Sequence, residues 1–310
     1  MFYIPSRIVA YLSQKLSRNM AFKCYSVFIL IHSFIASVGA FVAFSHYVAP
    51  MPALLGSLTI AYGAYMVKPQ TPCAMFTMAW IPWMLVPGFG PYAFGLAILG
   101  GYWPVLAVAM PLAVLNPECL LGVILGLPQI IPFLWYWPRS IRAKIKPNAE
   151  WGRMPLKRLL VNLRTPENGI HYPEYAFGVG ICAVLCIFSY SDMYGIVGLF
   201  LALIGFIGAR GWFVIARIPA RFLYLLSFGL VFASIFAITD AIAVPLVVLQ
   251  GFLLFKNRDI YPHFPYSQWW RKPSELEYGN TQWPGNTGYL TEEPRTAYYG
   301  GFALAENYHE

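Results

Sequence analysis

No aspartate or glutamate occurs in this chain before Glu118, and the residues up to that point are dominated by long runs of Phe, Ile, Leu, Val, Ala and Trp. A soluble domain with such runs needs a charged coat, and about a quarter of its residues usually carry charge. Here 11% of 310 residues are charged and 58% are apolar. The apolar runs between the charged blocks are about 16 to 25 residues long, the length that carries an α-helix through a hydrocarbon core. Period-two alternation, which a membrane β-barrel requires, is absent from Phe28–Ile31 and Leu199–Ile204, which are apolar on every face. The expectation is an all-α, polytopic transmembrane helical bundle of six to eight spans with an irregular cytoplasmic C-terminal tail.

Five regions follow from the composition. Residues 1–21 form an amphipathic basic segment, with Ile4, Ile8, Leu12 and Leu16 four apart and Arg7, Lys15 and Arg18 on other faces. Residues 22–137 form a first helix group, with spans expected at Phe22–Phe44 and Pro52–Val67 and apolar stretches near Pro72–Val86, Tyr92–Leu115 and Glu118–Tyr136. Residues 138–174 form a basic loop containing Arg139, Arg142, Lys144, Lys146, Arg153, Lys157, Arg158 and Arg164. Residues 175–256 form a second helix group, with spans at Tyr175–Ser189, Tyr194–Ala209, Arg221–Thr239 and Ala241–Phe255. Residues 257–310 form the tail.

Lys and Arg are retained on the cytoplasmic side of short loops, so the N-terminus, the 138–171 loop and the start of the tail are expected inside. An even number of crossings must then precede the basic loop, whereas the apolar stretches before it number five. Pro72–Pro87, continuing into Gly88-Phe89-Gly90-Pro91, is expected to form a broken or re-entrant helix, with Tyr92–Leu115 either split near Gly100-Gly101 or left as a longer, tilted crossing. The lack of any Asn-x-Ser/Thr sequon suits a bacterial inner membrane, with the mitochondrial inner membrane as the alternative.

Ionisable and amide groups inside apolar spans are the natural places to look for function. Asn116 and Glu118 sit where two apolar stretches meet, Gln129 lies within a span, and Asp240 lies at a tight turn between two helices. These four are the candidate intramembrane polar site. Their ordinary readings are a helix-initiating loop for the first pair, an interhelical hydrogen bond for Gln129 and a helix cap for Asp240. His32 has no second deep histidine to share a haem, and no Cys-x-x-Cys-His occurs. Cys182 and Cys186 share a helix face but lack companions for a metal. No cofactor is expected.

The tail carries seven acids against four bases, yet is dense in aromatic residues. Trp269, Trp270, Trp283, Tyr289, Tyr298 and Tyr299 read as anchors for a partner or for the bilayer interface. The expected partners are the lipid bilayer, anionic headgroups at the N-terminal helix and the 138–171 loop, and other protein subunits through the loop and tail. Nucleic acid is not expected. The function that fits is a non-catalytic integral membrane subunit of a secretion, conjugation or energy-transducing assembly. A transporter or channel using the broken helices around 72–132 is the alternative, and a membrane-embedded lipid-acting enzyme the next; no general acid, base or metal constellation marks catalysis.

Overall fold

The computed structural model describes residues 18–62, 76–101, 103–136, 182–212 and 222–256, together with Ile8, Tyr11, Lys15, Pro138 and Leu156. Among them every regular element is helical and no strand occurs. Helix α1, Arg18–Ser45, ends in a turn where Tyr47 and Val48 donate to the Phe44 carbonyl. Pro50 opens α2, Pro50–Tyr62, at a position where its missing N–H costs nothing.

The Pro-rich stretch is broken, as the sequence leads one to expect, and broken in several places. A short 3-10 turn at Pro82–Leu85 leads into α3, Gly90–Gly100, with Pro91 near its start. Gly101, at φ 78°, ends α3 in the left-handed conformation that glycine adopts without strain. The Tyr92–Leu115 stretch is therefore split at Gly100-Gly101. Beyond it come α4, Trp103–Ala109, 3-10 turns at Met110–Val114 and Pro117–Gly122, and α5, Val123–Tyr136, which contains Pro128 and Pro132. Prolines at 111 and 117 cannot donate to an α-helical ladder, which explains why tighter turns replace it there.

In the second half, α6 is the short Cys182–Leu185, continued by a 3-10 turn to Ser191. Then follow α7, Met193–Ala209, α8, Leu223–Ile235, and α9, Asp240–Lys256. Asp192 caps α7 by accepting from the N–H groups of Tyr194 at 2.8 Å and Gly195 at 3.1 Å. Asp192→Ala should lower unfolding stability by about 1 kcal/mol, the usual worth of such a cap, measured as a denaturation midpoint in detergent. Apart from Pro138 and Leu156, the basic loop 138–174 lies outside the described residues, as do most of the N-terminal segment and the whole tail, with Trp269, Trp270, Trp283, Tyr289, Tyr298 and Tyr299.

Packing joins the halves through α2, which touches α1, α8 and α9, while α7 lies along α8 and α3 along α5. One continuous apolar core results. The small residues of α7 explain how close its contact with α8 is. A Cβ added at Gly198 would lie 2.6 Å from the Ala233 backbone nitrogen, and one at Gly205 would lie 2.6 Å from the Leu226 Cα. Gly122 and Gly126 of the Gly-x-x-x-Gly pair pack within the chain, against Pro91, Gly95 and Ile98 of α3. Trp83 fits the notch at Gly39, its Nε1 donating to the Ile35 carbonyl at 2.8 Å.

The outer faces invert the usual soluble pattern. Leu30, Phe34, Ile124, Ile131, Phe200, Val248 and Phe252 are each at least 60% exposed, whereas His32, Ser33, Ser57, Thr59, Thr77, Ser234 and Gln250 are buried. By length and composition, one helix among the described residues suffices to cross a membrane: Pro117–Trp135, 19 residues with a mean hydropathy of 1.7. The other apolar helices, including Leu30–Ser45, Met193–Ala209 and Asp240–Phe252, are shorter than that.

Candidate functional site

Asn116 is the one member of the expected polar set that is buried by contacts from several elements. It stands between the two 3-10 turns, and its Nδ2 donates to the carbonyls of Met84 at 2.9 Å and Val86 at 3.4 Å. Its own carbonyl accepts from Cys119. Gly90 makes room for it, since a Cβ there would come 2.6 Å from the amide nitrogen. The side chain thus holds three turns together at a place where proline has removed backbone donors.

Glu118, two residues on, is exposed in the first turn of the Pro117–Gly122 segment, where a carboxylate complements free N–H groups. The pair does not converge. Gln129 lies half-buried on α5, with its Oε1 enclosed and without a hydrogen-bond donor. Gln250 is buried on α9 and also has an undonated Oε1.

Asp240 turns out to cap across the fold. Its Oδ1 accepts from the N–H of Met51 at 3.1 Å, so the first residue of α9 closes the exposed N-terminus of α2, 189 residues earlier in the chain. The spacing rule for caps looks only at the helix that follows the acid, and therefore names the wrong helix. Around it an aromatic layer forms: Tyr47 lies 5.0 Å from Tyr194 and 5.5 Å from Phe232, and Tyr194 stacks on Phe236. The Tyr47 hydroxyl donates to the Leu115 carbonyl at 3.5 Å, and burial, with Tyr194 adding, raises its pKa above the usual phenol value.

A second polar cluster, not singled out by sequence, lies between α2, α6 and α8. Thr59 Oγ1 is 3.8 Å from Cys182 Sγ, and Ser234 stands beside the same thiol. Thr59 and Ser234 each donate to a carbonyl of their own helix, at Leu55 and Val231. Hydroxyls satisfied in this way act as interhelical spacers, a role that spacing along one helix cannot disclose. No group of three or more His, Cys, Asp or Glu side chains among the described residues is arranged to hold a metal ion.

No protein-family model, curated protein or solved structure matches this chain.

Proposed function

We propose that the chain is a multi-pass integral membrane protein serving as a non-catalytic subunit of a larger membrane assembly. The observation that carries this reading is the inverted surface: large aliphatic and aromatic side chains point outward from α1, α5, α7 and α9 while hydroxyls and amides point inward. In water that surface would be an aggregating patch on every side; in lipid it is solvated.

Charge and aromatic placement support the same reading. The turns at 46–49, 86–89, 115–116 and 236–239 meet at one end, joined by Tyr47, Asn116 and Asp240. Among the described residues that end carries Glu118, Asp192 and Asp240 and no Lys or Arg. Arg18, Arg210 and Lys256 stand at the other ends of α1, α7 and α9. The basic end would face the cytoplasm, or the matrix in a mitochondrion. Exposed Tyr92 and Tyr190 near the acidic end, and Trp135 and Trp212 near the basic end, suit two interfacial belts.

The 28 residues of α1 rise about 42 Å, more than the hydrocarbon thickness of about 30 Å. In the proposed bundle of six to eight crossings it would be joined by α2, α5, α7, α8 and α9, with the short helices between Phe76 and Gly100 as the broken pair; by length and composition alone Pro117–Trp135 is the one helix among the described residues that suffices. The basic loop and the aromatic tail are the surfaces by which such a subunit would meet anionic headgroups and its neighbours. Asn116, tied to backbone carbonyls, and Glu118, standing apart from it, are arranged to hold turns rather than to receive a solute, which favours the subunit reading over the transporter.

The test has two parts. After expression in a bacterial host, the chain should resist alkaline extraction of membranes; release into the wash would end the membrane reading. Affinity isolation of the full chain from its native membranes in mild detergent should bring down a stable partner set that is lost on deleting residues 259–310. Isolation of a lone monodisperse monomer would end the subunit reading.

A further inference from the structure

The two ends of the segment from Gly90 to Leu115 lie together at the acidic end of the fold. Asn116, which follows Leu115, donates to the Met84 and Val86 carbonyls just before α3, and a Cβ at Gly90 would come 2.6 Å from its amide nitrogen. The Tyr47 hydroxyl, donating to the Leu115 carbonyl, ties the same point to the turn after α1.

The middle of the segment lies far from that end. Helix α3 has 11 residues and rises about 16 Å. The 7 residues of α4 and the 5 of the 3-10 turn after it rise about 20 Å together. Neither arm reaches across a hydrocarbon core of about 30 Å. Contacts place the junction of the arms independently of their lengths. A Cβ at Gly100 would lie 2.8 Å from the Thr77 nitrogen and 3.0 Å from the Phe76 carbonyl carbon. The Phe76 ring packs on Phe28 at 4.9 Å and on His32 at 5.1 Å. His32 stands near the middle of α1, about 20 Å from either end. The chain therefore reverses at Gly100-Gly101 at half the height of its longest described helix.

Irregular backbone at that depth has to be enclosed by protein, with its polar groups paired. The fold provides both conditions. Thr77 Oγ1 donates to the Ala97 carbonyl at 3.1 Å, and the Gly101 N–H donates to the Ile98 carbonyl at 2.9 Å. The turn at Pro82–Leu85, the Pro117–Gly122 segment and α5 pack around α3, and Gly100 is buried.

We infer that Gly90–Leu115 is a re-entrant loop, which dips from the acidic face to the middle of the bilayer and returns to the same face without crossing. The inference rests on the membrane reading above and moves the re-entrant element from Pro72–Pro87 to Tyr92–Leu115. Four of the five apolar stretches before the basic loop then remain to cross. Four is the even number that basic residues at the N-terminus and in the 138–171 loop require.

The experiment uses the full chain with its five native cysteines changed to Ala and single cysteines placed at Tyr92, Leu99, Ala107 or Val114, which are exposed or half-buried. Nitroxide labels at these sites in proteoliposomes report depth by their relative accessibility to oxygen and to a nickel chelate. Labels at Tyr92 and Val114 should lie near one headgroup layer, and those at Leu99 and Ala107 about 10 Å deeper. Leu96 and Met110 should give intermediate depths, which keeps the profile independent of any one variant. In whole bacterial cells an impermeant maleimide should label cysteines at Tyr92, Val114 and Glu118 from outside, and one at Trp212 only after permeabilisation. A depth that changes steadily from Tyr92 to Val114, a flat profile, or labelling of those two sites from opposite faces overturns the loop while leaving the membrane reading intact. Release by alkaline extraction overturns both.

Discussion

Gly205→Leu should abolish the folded protein, or lower its unfolding stability by about 3 kcal/mol or more, because overpacking is costliest where the obstructing atoms belong to a backbone. The Cα of Leu226 lies 2.6 Å from where the new Cβ would sit, and the Leu226 nitrogen is nearer still. Neither α7 nor α8 can yield locally. Their contact is repeated at Gly198 against Ala233 and at Gly229 against Ala202, so relief at one position tightens another. Gly251→Ala provides the control, since nothing lies within 4 Å of a Cβ there. It should be neutral or stabilise α9 by up to about 1 kcal/mol through helix propensity. Detergent-solubilised yield and the thermal midpoint of both variants, measured side by side, check the contrast; equal losses for the two would show that the α7–α8 contact is not the tight one.

The same contact illustrates what a sequence of this kind discloses. The runs that become α1, α7, α8 and α9 are legible to within a few residues, because an apolar stretch bounded by charge or a turn residue has few alternatives to a helix. The concentration of Gly and Ala between Gly195 and Gly211 signals close approach, but not to which helix. Gly122 and Gly126 could equally have faced another chain. Between Thr71 and Trp137 the resolution is lower, since each proline removes one donor and leaves several local answers of similar energy. The Gly100-Gly101 pair marks one of the places where the chain can break, whereas nothing in the sequence distinguishes the 3-10 turns at Met110–Val114 and Pro117–Gly122 from a kinked α-helix. Polar contacts between distant segments were the least legible. Asp240 capping α2 and Thr59 meeting Cys182 both depend on tertiary placement, and no periodicity within one helix encodes them.

Asn116→Asp should be among the most damaging single-atom changes in the chain, and its effect separates a positioning role from a transport role. The substitution keeps the size of the side chain but replaces an amide that donates to the Met84 and Val86 carbonyls with a group that, ionised, only accepts. Carboxylate oxygens facing two carbonyls, in a place where Gly90 leaves no room to withdraw, must either repel them or take up a proton. Leaving such groups buried and unpaired costs about 3 to 5 kcal/mol. Asn116→Leu should lose about 1 to 3 kcal/mol through the two undonated carbonyls. Glu118→Gln, at an exposed position, should change stability by less than about 0.5 kcal/mol. If Asn116 holds the turns, the order of damage in denaturation and folded yield is Asp, then Leu, with Glu118→Gln close to the parent. Stable, well-folded Asn116 variants would contradict that role, and if reconstituted flux were present and fell in parallel for Asn116→Ala and Glu118→Gln, the two residues would belong to a permeation path after all.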